Sequence, residues 1–131
     1  MSSPSRSNFA ITNTTKGRPP RLPFAVLKNK VLGEDYSLSL VFLSDRASRS
    51  LNATRRGKKE PANILSFPLS EDEGEIFIAL KKAAADAPQF DMPRTRFVLY
   101  LFIHGLLHLK GLTHGSTMEK EEQDILRKSG V

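Results

Sequence analysis

Phe97-Val-Leu-Tyr-Leu-Phe-Ile-His-Gly-Leu-Leu-His-Leu109 is the longest apolar stretch of the sequence, and it is the segment that decides the fold. Asp91 and Pro93 form a good helix entry before it, and Gly111 is well placed to end the helix after it. A helix that is apolar nearly all round is buried, so this segment predicts a central helix. At about 13 residues it is too short to span a bilayer, which takes around 20.

Shorter elements are predicted on the N-terminal side of this helix, and one more helix follows it. Alternating or helical spacing of apolar residues, together with glycine and proline punctuation, sets their bounds. The predicted strands are residues 9–14, 36–43, 62–68 and 74–80, and the other predicted helices are residues 24–32, 44–54, 81–87 and 116–128. This order predicts an α+β fold with α/β-like features: helices packed on a small mixed β-sheet of about four strands. Residues 1–8 are predicted to be a flexible tail, and residues 9–131 a single domain.

Composition bounds the possible functions. The 131 residues carry a formal net charge of +6, which suits a protein that binds a polyanion, although many basic proteins bind no nucleic acid. The absence of cysteine excludes disulfides, thiolate catalysis and zinc sites built on cysteine. The polar start of the chain lacks the apolar run of a signal peptide, so a cytoplasmic protein with no membrane segment is expected.

All three histidines of the chain lie within 11 residues, as His104, His108 and His114. The first two are separated by four positions, so one helix face carries both imidazoles. After a break at Gly111, the chain can return with the third. Three neutral nitrogen donors leave the fourth position of a tetrahedral ion to water, which is typical of a catalytic zinc site. Packing histidines are the alternative, but this spacing with an intervening glycine favours metal binding.

The same histidine spacing occurs in the metzincin proteases, where a glutamate directly follows the first histidine and serves as the general base. Here that position is Gly105. A peptidase interpretation therefore lacks its proton acceptor.

The segment His104-Gly-Leu-Leu-His108-Leu-Lys-Gly111-Leu-Thr-His114 resembles the H-G-x-L-H-L-x-G-Y-D-H signature of the YbeY family of bacterial metal-dependent endoribonucleases. Residues 51–68, Leu-Asn-Ala-Thr-Arg-Arg-Gly-Lys-Lys-Glu-Pro-Ala-Asn-Ile-Leu-Ser-Phe-Pro, resemble a second block of that family, L-N-x-x-[aromatic]-R-G-K-D-x-P-T-[DN]-V-L-S-F-P. Residues 74–78 resemble its G-D-I-x-I strand. The chain departs from the family where Thr113 and Lys59 replace aspartates, Gly115 a glutamate, Ala62 a threonine and Arg55 an aromatic residue.

The resemblance implies a single-strand-specific, metal-dependent endoribonuclease that acts in ribosomal RNA maturation and ribosome quality control. It implies RNA and the ribosome or its small subunit as partners, with no DNA, and one Zn²⁺ or another divalent transition metal as cofactor. The residues it assigns are the metal ligands His104, His108 and His114, the catalytic residues Arg56 and His114, and the substrate-binding residues Arg55, Arg56, Lys58, Lys59 and Ser66.

A guanidinium at position 56 suits this role because it can hold two oxygens of a phosphodiester whose charge grows in the transition state. No general base is visible by motif, so attack by water and attack by the 2′-hydroxyl of the RNA both stay open. A metal-stabilised RNA- or ribosome-binding maturation factor with little catalysis is the alternative function, because Thr113 stands where the family has a carboxylate.

Overall fold

The computed structural model describes residues 8–131, and these share one hydrophobic core. Among them, four strands and five α-helices follow one another along the chain. They are β1 (Phe9–Asn13), α1 (Phe24–Leu32), β2 (Ser37–Leu43), α2 (Asp45–Arg56), β3 (Ile64–Ser70), β4 (Glu73–Ala79), α3 (Leu80–Asp86), α4 (Arg94–Lys110) and α5 (Ser116–Lys128), with a short 3₁₀ turn at Ala87–Phe90. The predicted α+β class is confirmed.

The sheet is mixed and has the order β1-β2-β4-β3. The first three strands in that order are parallel, and β3 runs antiparallel to β4 at one edge. Pro68 lies in this edge strand, where a proline is tolerated because it has no N–H to offer a second neighbour.

Helix α4 lies at the centre of the core. Phe97, Phe102 and Ile103 are fully buried in it, and Phe102 meets Phe24 of α1 edge-on with ring centroids 4.9 Å apart. A Cβ at Gly105 would lie within 3.0 Å of Ile76 and 3.1 Å of Ile64, so the helix packs closely against the sheet there. The predicted buried central helix is confirmed.

Several boundaries differ from the prediction. Helix α2 continues to Arg56, so Arg55 and Arg56 lie in its last turn and not in the following loop, because Gly57, in the left-handed conformation (φ 68°), is the first residue able to end it. Basic side chains also favour the negative end of the helix dipole. Helix α5 begins at Ser116 as predicted, and Gly115 before it provides no side-chain cap.

The predicted flexible tail falls almost wholly outside the described residues. Asn8 is described, and it is tied to the fold: its side chain donates to the Glu34 carbonyl (3.1 Å) and its carbonyl accepts from Leu38 (2.8 Å). No helix in the described part of the chain is long and apolar enough to cross a membrane.

Candidate metal centre and active site

Helix α4 presents His104 and His108 one turn apart near its C-terminal end. Their rings meet edge-on with centroids 4.6 Å apart, and the two Nε2 atoms are 3.1 Å apart. Because neither side chain rises from an irregular loop, the buried helix that packs against the sheet sets where both rings lie.

Gly111 ends α4 in a left-handed conformation (φ 110°) that an L side chain rarely adopts. Its N–H donates to the His108 carbonyl and that of Leu112 to the Leu107 carbonyl, both at 3.0 Å. The chain therefore turns back at once, and His114 comes to 4.9 Å from each of the other two rings, centroid to centroid. The three predicted ligands are thus brought together.

Glu122 is a functional candidate that sequence reasoning missed. It lies on the buried face of α5, is 2% exposed, and its Oε2 accepts a hydrogen bond from His104 Nδ1. A proton on Nδ1 leaves the lone pair on Nε2, the atom that faces the other histidines. A carboxylate in the buried row Met118, Glu122, Ile125 and Leu126 was the available signal, because an unpaired acid does not belong on an apolar stripe.

Burial shifts the protonation equilibria of two side chains at this centre. The pKa of His108 lies below its usual 6.5, first because burial penalises the charged ring and then because of repulsion from His104 and His114. His108 is therefore neutral at pH 7, the form that binds a metal. The pKa of the Tyr100 hydroxyl is raised, first by burial and then by the nearby charge of Glu122.

The donor set fits a divalent transition metal. Imidazole nitrogens bound at 2.0–2.1 Å to one tetrahedral ion lie roughly 3.4 Å from each other, close to the 3.1 Å between His104 and His108. One ligand atom from each of the three histidines lies within 4.8 Å of the others. The widest of these gaps exceeds the tetrahedral spacing by at most roughly 1.4 Å. His114 is the exposed member of the cluster, whereas His104 and His108 are partly buried.

The three histidines line a cavity of about 470 Å³ between the end of α4 and the edge strand β3. Its other walls are Ile64, Leu65, Ser66, Pro68, Leu109 and Arg56. Arg56 is the single cationic residue of this lining, and no carboxylate and no Phe, Tyr or Trp of the described residues is part of it. The cavity therefore combines a candidate metal centre, one guanidinium and a strand edge.

Two buried polar residues of α2 hold the loop that follows Arg56. Ser48 Oγ donates to the Ala62 carbonyl (2.6 Å) and accepts from the Ala62 N–H (3.0 Å), while Asn52 Nδ2 donates to the Glu60 carbonyl (2.8 Å). These bonds tie the segment that leads into β3 to the helix that carries Arg56. The two walls of the cavity are thus fixed relative to each other.

The other predicted substrate-binding residues lie apart from the cavity lining. Arg55 pairs with Glu75 (Nη1–Oε1 3.1 Å) and stacks over the Phe67 ring at 4.7 Å, and Lys58 and Lys59 are exposed in the loop after α2. Contacts of these three residues with RNA stay predictions. Glu75 and Asn63 have structural partners, since Asn63 Nδ2 donates to Asp86 at 3.0 Å.

Close packing explains why the protease-type base is missing. A Cβ on Gly105 would meet Ile76 and Ile64 on the sheet, so the position after the first histidine faces the core and not the cavity. A carboxylate there would be buried without a partner.

Fold and site together define a small mixed-sheet domain with an open three-histidine cluster of the kind that supports metal-assisted hydrolysis. Residues 20–130 match the family model described as endoribonuclease YbeY. Curated relatives named endoribonuclease YbeY include one from Pelotomaculum thermopropionicum, 32% identical over 94% of this chain and 86% of its own length. Another, from Neorickettsia sennetsu, is 32% identical over 73% of this chain and 75% of its own. The chain belongs to the YbeY endoribonuclease family, which supports an endoribonuclease role.

A solution structure of a Thermotoga maritima protein has the same fold. It superposes with a TM-score of 0.67 over 92% of this chain and 88% of the other, at 23% sequence identity. This likeness agrees with the mixed sheet and the central helix described above.

Proposed function

We propose that the protein is a single-strand-specific endoribonuclease that depends on one Zn²⁺ held by His104, His108 and His114, and that acts in ribosomal RNA maturation and ribosome quality control. Family membership supports cleavage of RNA. The ribosome or its small subunit as a partner, and the cytoplasm as the place of action, belong to this proposal because precursor ribosomal RNA would be its substrate.

One observation carries the proposal: three imidazoles converge within 4.8 Å at a cavity that also receives Arg56. Three histidines are a sufficient protein ligand set for a catalytic zinc site, and they leave a position open. A guanidinium in the same cavity suits a substrate whose oxygens gain negative charge.

The chemistry divides between the metal and the side chains of the chain. When bound, the metal would supply Lewis-acid polarisation of a phosphoryl oxygen. Arg56 would bind the scissile phosphate and orient it, through a helix end and a loop that Ser48 and Asn52 hold in place. Glu122 keeps the His104 proton on Nδ1, and His114 is the exposed member of the three ligands.

An RNA- or ribosome-binding factor with little catalysis is the second candidate. It is favoured by the cavity lining, in which no carboxylate of the described residues is available as a general base. Purified protein that binds ribosomal RNA but never cleaves it with added Zn²⁺, Mn²⁺ or Mg²⁺ would establish this second function and exclude the first.

Elemental analysis of the wild type beside His108→Ala tests the metal. We expect about one equivalent in the wild type and loss of most of it in the variant, because two imidazoles hold an ion far more weakly than three. Equal metal content in both proteins would show that the histidine cluster is not the metal site.

Arg56→Ala tests the phosphate-binding role. Removing a preorganised donor to developing charge typically costs on the order of 100-fold in rate, so cleavage of a small-subunit ribosomal RNA precursor should fall by about that factor. Folding and metal content should be unchanged. Arg46→Ala is the matched control, because Arg46 is an exposed arginine in the first turn of the same helix. Equal rates in both variants would remove Arg56 from the mechanism.

A further inference from the structure

The edge strand β3 has one side without a strand partner, and this side borders the cavity. In the sheet order β1-β2-β4-β3 the strand pairs with β4 alone. Four of its residues or neighbours in sequence, Ile64, Leu65, Ser66 and Pro68, line the same cavity as His104 and His108. Strand β3 is therefore one wall of the site.

The register shows which backbone groups face outward. The Ala79 N–H donates to the Asn63 carbonyl at 3.0 Å, and the pairing continues with Ile64 opposite Ile78 and Ser66 opposite Ile76. Since bonded pairs alternate along an antiparallel ladder, residues 63, 65 and 67 bond to β4, and Ile64 and Ser66 direct their N–H and C=O away from it.

Pro68 supports this assignment because it lies two positions after Ser66, so its backbone nitrogen also points away from β4. A proline has no N–H, so it is tolerated at a position that donates no hydrogen bond to the neighbouring strand. The outward side of β3 thus offers an N–H and a C=O at Ile64 and again at Ser66, about 6.8 Å further along the strand.

Unpaired nucleotides are suited to this row of groups. The Watson–Crick edge of a base carries adjacent donors and acceptors that are free in single strands and already used in a duplex. Stacking on an aromatic platform is not available, because no Phe, Tyr or Trp of the described residues lines the cavity. The cationic Arg56 at the other wall favours a polyanion over an extended peptide as the strand that lies here.

We propose that the outward backbone edge of β3, at Ile64 and Ser66, hydrogen-bonds the base edges of unpaired nucleotides beside the scissile phosphate and so selects single-stranded RNA. This inference rests on the proposed function, and it assigns single-strand selection to backbone groups that side-chain motifs do not reveal.

Ser66→Pro tests it, because proline removes the outward N–H and leaves the bonds of Leu65 and Phe67 to β4 in place. Ser66→Ala is the matched variant, because it removes the side-chain hydroxyl and keeps the backbone N–H. Losing one hydrogen bond typically weakens binding roughly threefold to tenfold. We therefore expect KM for a single-stranded oligoribonucleotide to rise by that much more in Ser66→Pro than in Ser66→Ala, with kcat and metal affinity alike in the two variants.

A substrate without bases at the nucleotides flanking the cleavage site separates base contacts from backbone contacts. The proline effect should vanish on this abasic RNA, because the base that would bond to the Ser66 N–H is already absent. If Ser66→Pro folds poorly, replacing the Leu65–Ser66 amide with an ester removes the same N–H without a ring, and the same loss is expected.

Three results would overturn the inference. One is equal KM for the proline and alanine variants. Another is a proline effect of the same size on abasic RNA. The third is wild-type binding of an extended peptide that proline abolishes while RNA binding is kept. Failure of the proposed function would look different: the wild type itself would not cleave RNA. The comparison of variants could then still be made by fluorescence anisotropy of the labelled oligoribonucleotide.

Discussion

Replacing the carboxylate of Glu122 tests whether its hydrogen bond to His104 orients that ligand for metal binding. Glu122→Gln keeps the size of the side chain but replaces a charged acceptor, which favours a proton on His104 Nδ1, with a weaker amide. Losing such a partner typically lowers metal affinity about 10- to 100-fold. We expect a drop of that size in Zn²⁺ affinity, measured by competition with a chromophoric chelator.

Glu121→Gln is the control for this prediction, because Glu121 precedes it on α5 and is exposed. Its affinity should match that of the wild type. Nitrogen NMR of the metal-free protein gives a second measure, since the proton of His104 should stay on Nδ1 in Glu121→Gln and divide between both nitrogens in Glu122→Gln. Identical affinities in the two variants would reduce Glu122 to a packing residue.

Residue-scale features differ in how far sequence reveals them. The histidines are local, since 11 residues and one helix-ending glycine contain the whole cluster, and their convergence was predicted. Glu122 acts across 18 residues and between two helices, so only its odd place on an apolar stripe pointed to it. Arg55 shows the opposite case: a charge near a motif is engaged by Glu75 and Phe67 of neighbouring strands, which no local pattern reveals.

At the scale of elements, Ser48 joins α2 to the segment that leads into β3. Replacing Ser48 with alanine leaves the N–H and the carbonyl of Ala62 without their partner, and Ser48 itself is 1% exposed. An unsatisfied buried polar group costs roughly 1–3 kcal/mol. Urea unfolding of Ser48→Ala should show a free energy of unfolding lower by about that amount.

Ser50→Ala is the matched variant, because Ser50 lies two positions on in α2 and is exposed. A surface change of this kind stays within about 0.5 kcal/mol. If both serines gave the same free energy of unfolding, the link between α2 and β3 would have no energetic weight.

Elements with strong periodicity were predicted nearly to the residue, and their junctions were not. Helix α1 and the end of α5 agree with the predicted bounds because glycine or charge ends the pattern there. Helix α2 ends at Arg56, two residues beyond the predicted end at residue 54, since Gly57 and not Arg55 supplies the left-handed end. The 3₁₀ turn at Ala87–Phe90 has no period of its own to detect.

At the scale of the whole molecule, the sequence left the order of the strands open. Alternation shows that a segment is a strand, but β4 lies between β2 and β3 because of a crossover that no local pattern encodes. This order matters for the site, because it leaves β3 at the edge, beside the histidines and Arg56. Net charge, in contrast, is read directly from the sequence and leads to a prediction about the whole surface.

With a formal net charge of +6, RNA binding should depend strongly on salt. For a single strand, the logarithm of affinity falls with the logarithm of salt by about 0.7 per phosphate neutralised. Three contacts would therefore weaken binding roughly 10- to 20-fold between 50 and 200 mM salt. Anisotropy of a labelled single-stranded oligoribonucleotide measures this, and Arg56→Ala should make the slope shallower by about 0.7, whereas Arg46→Ala should leave it unchanged. A salt-independent affinity would mean that hydrogen bonds alone hold the RNA, and that the basic surplus of the chain serves another purpose.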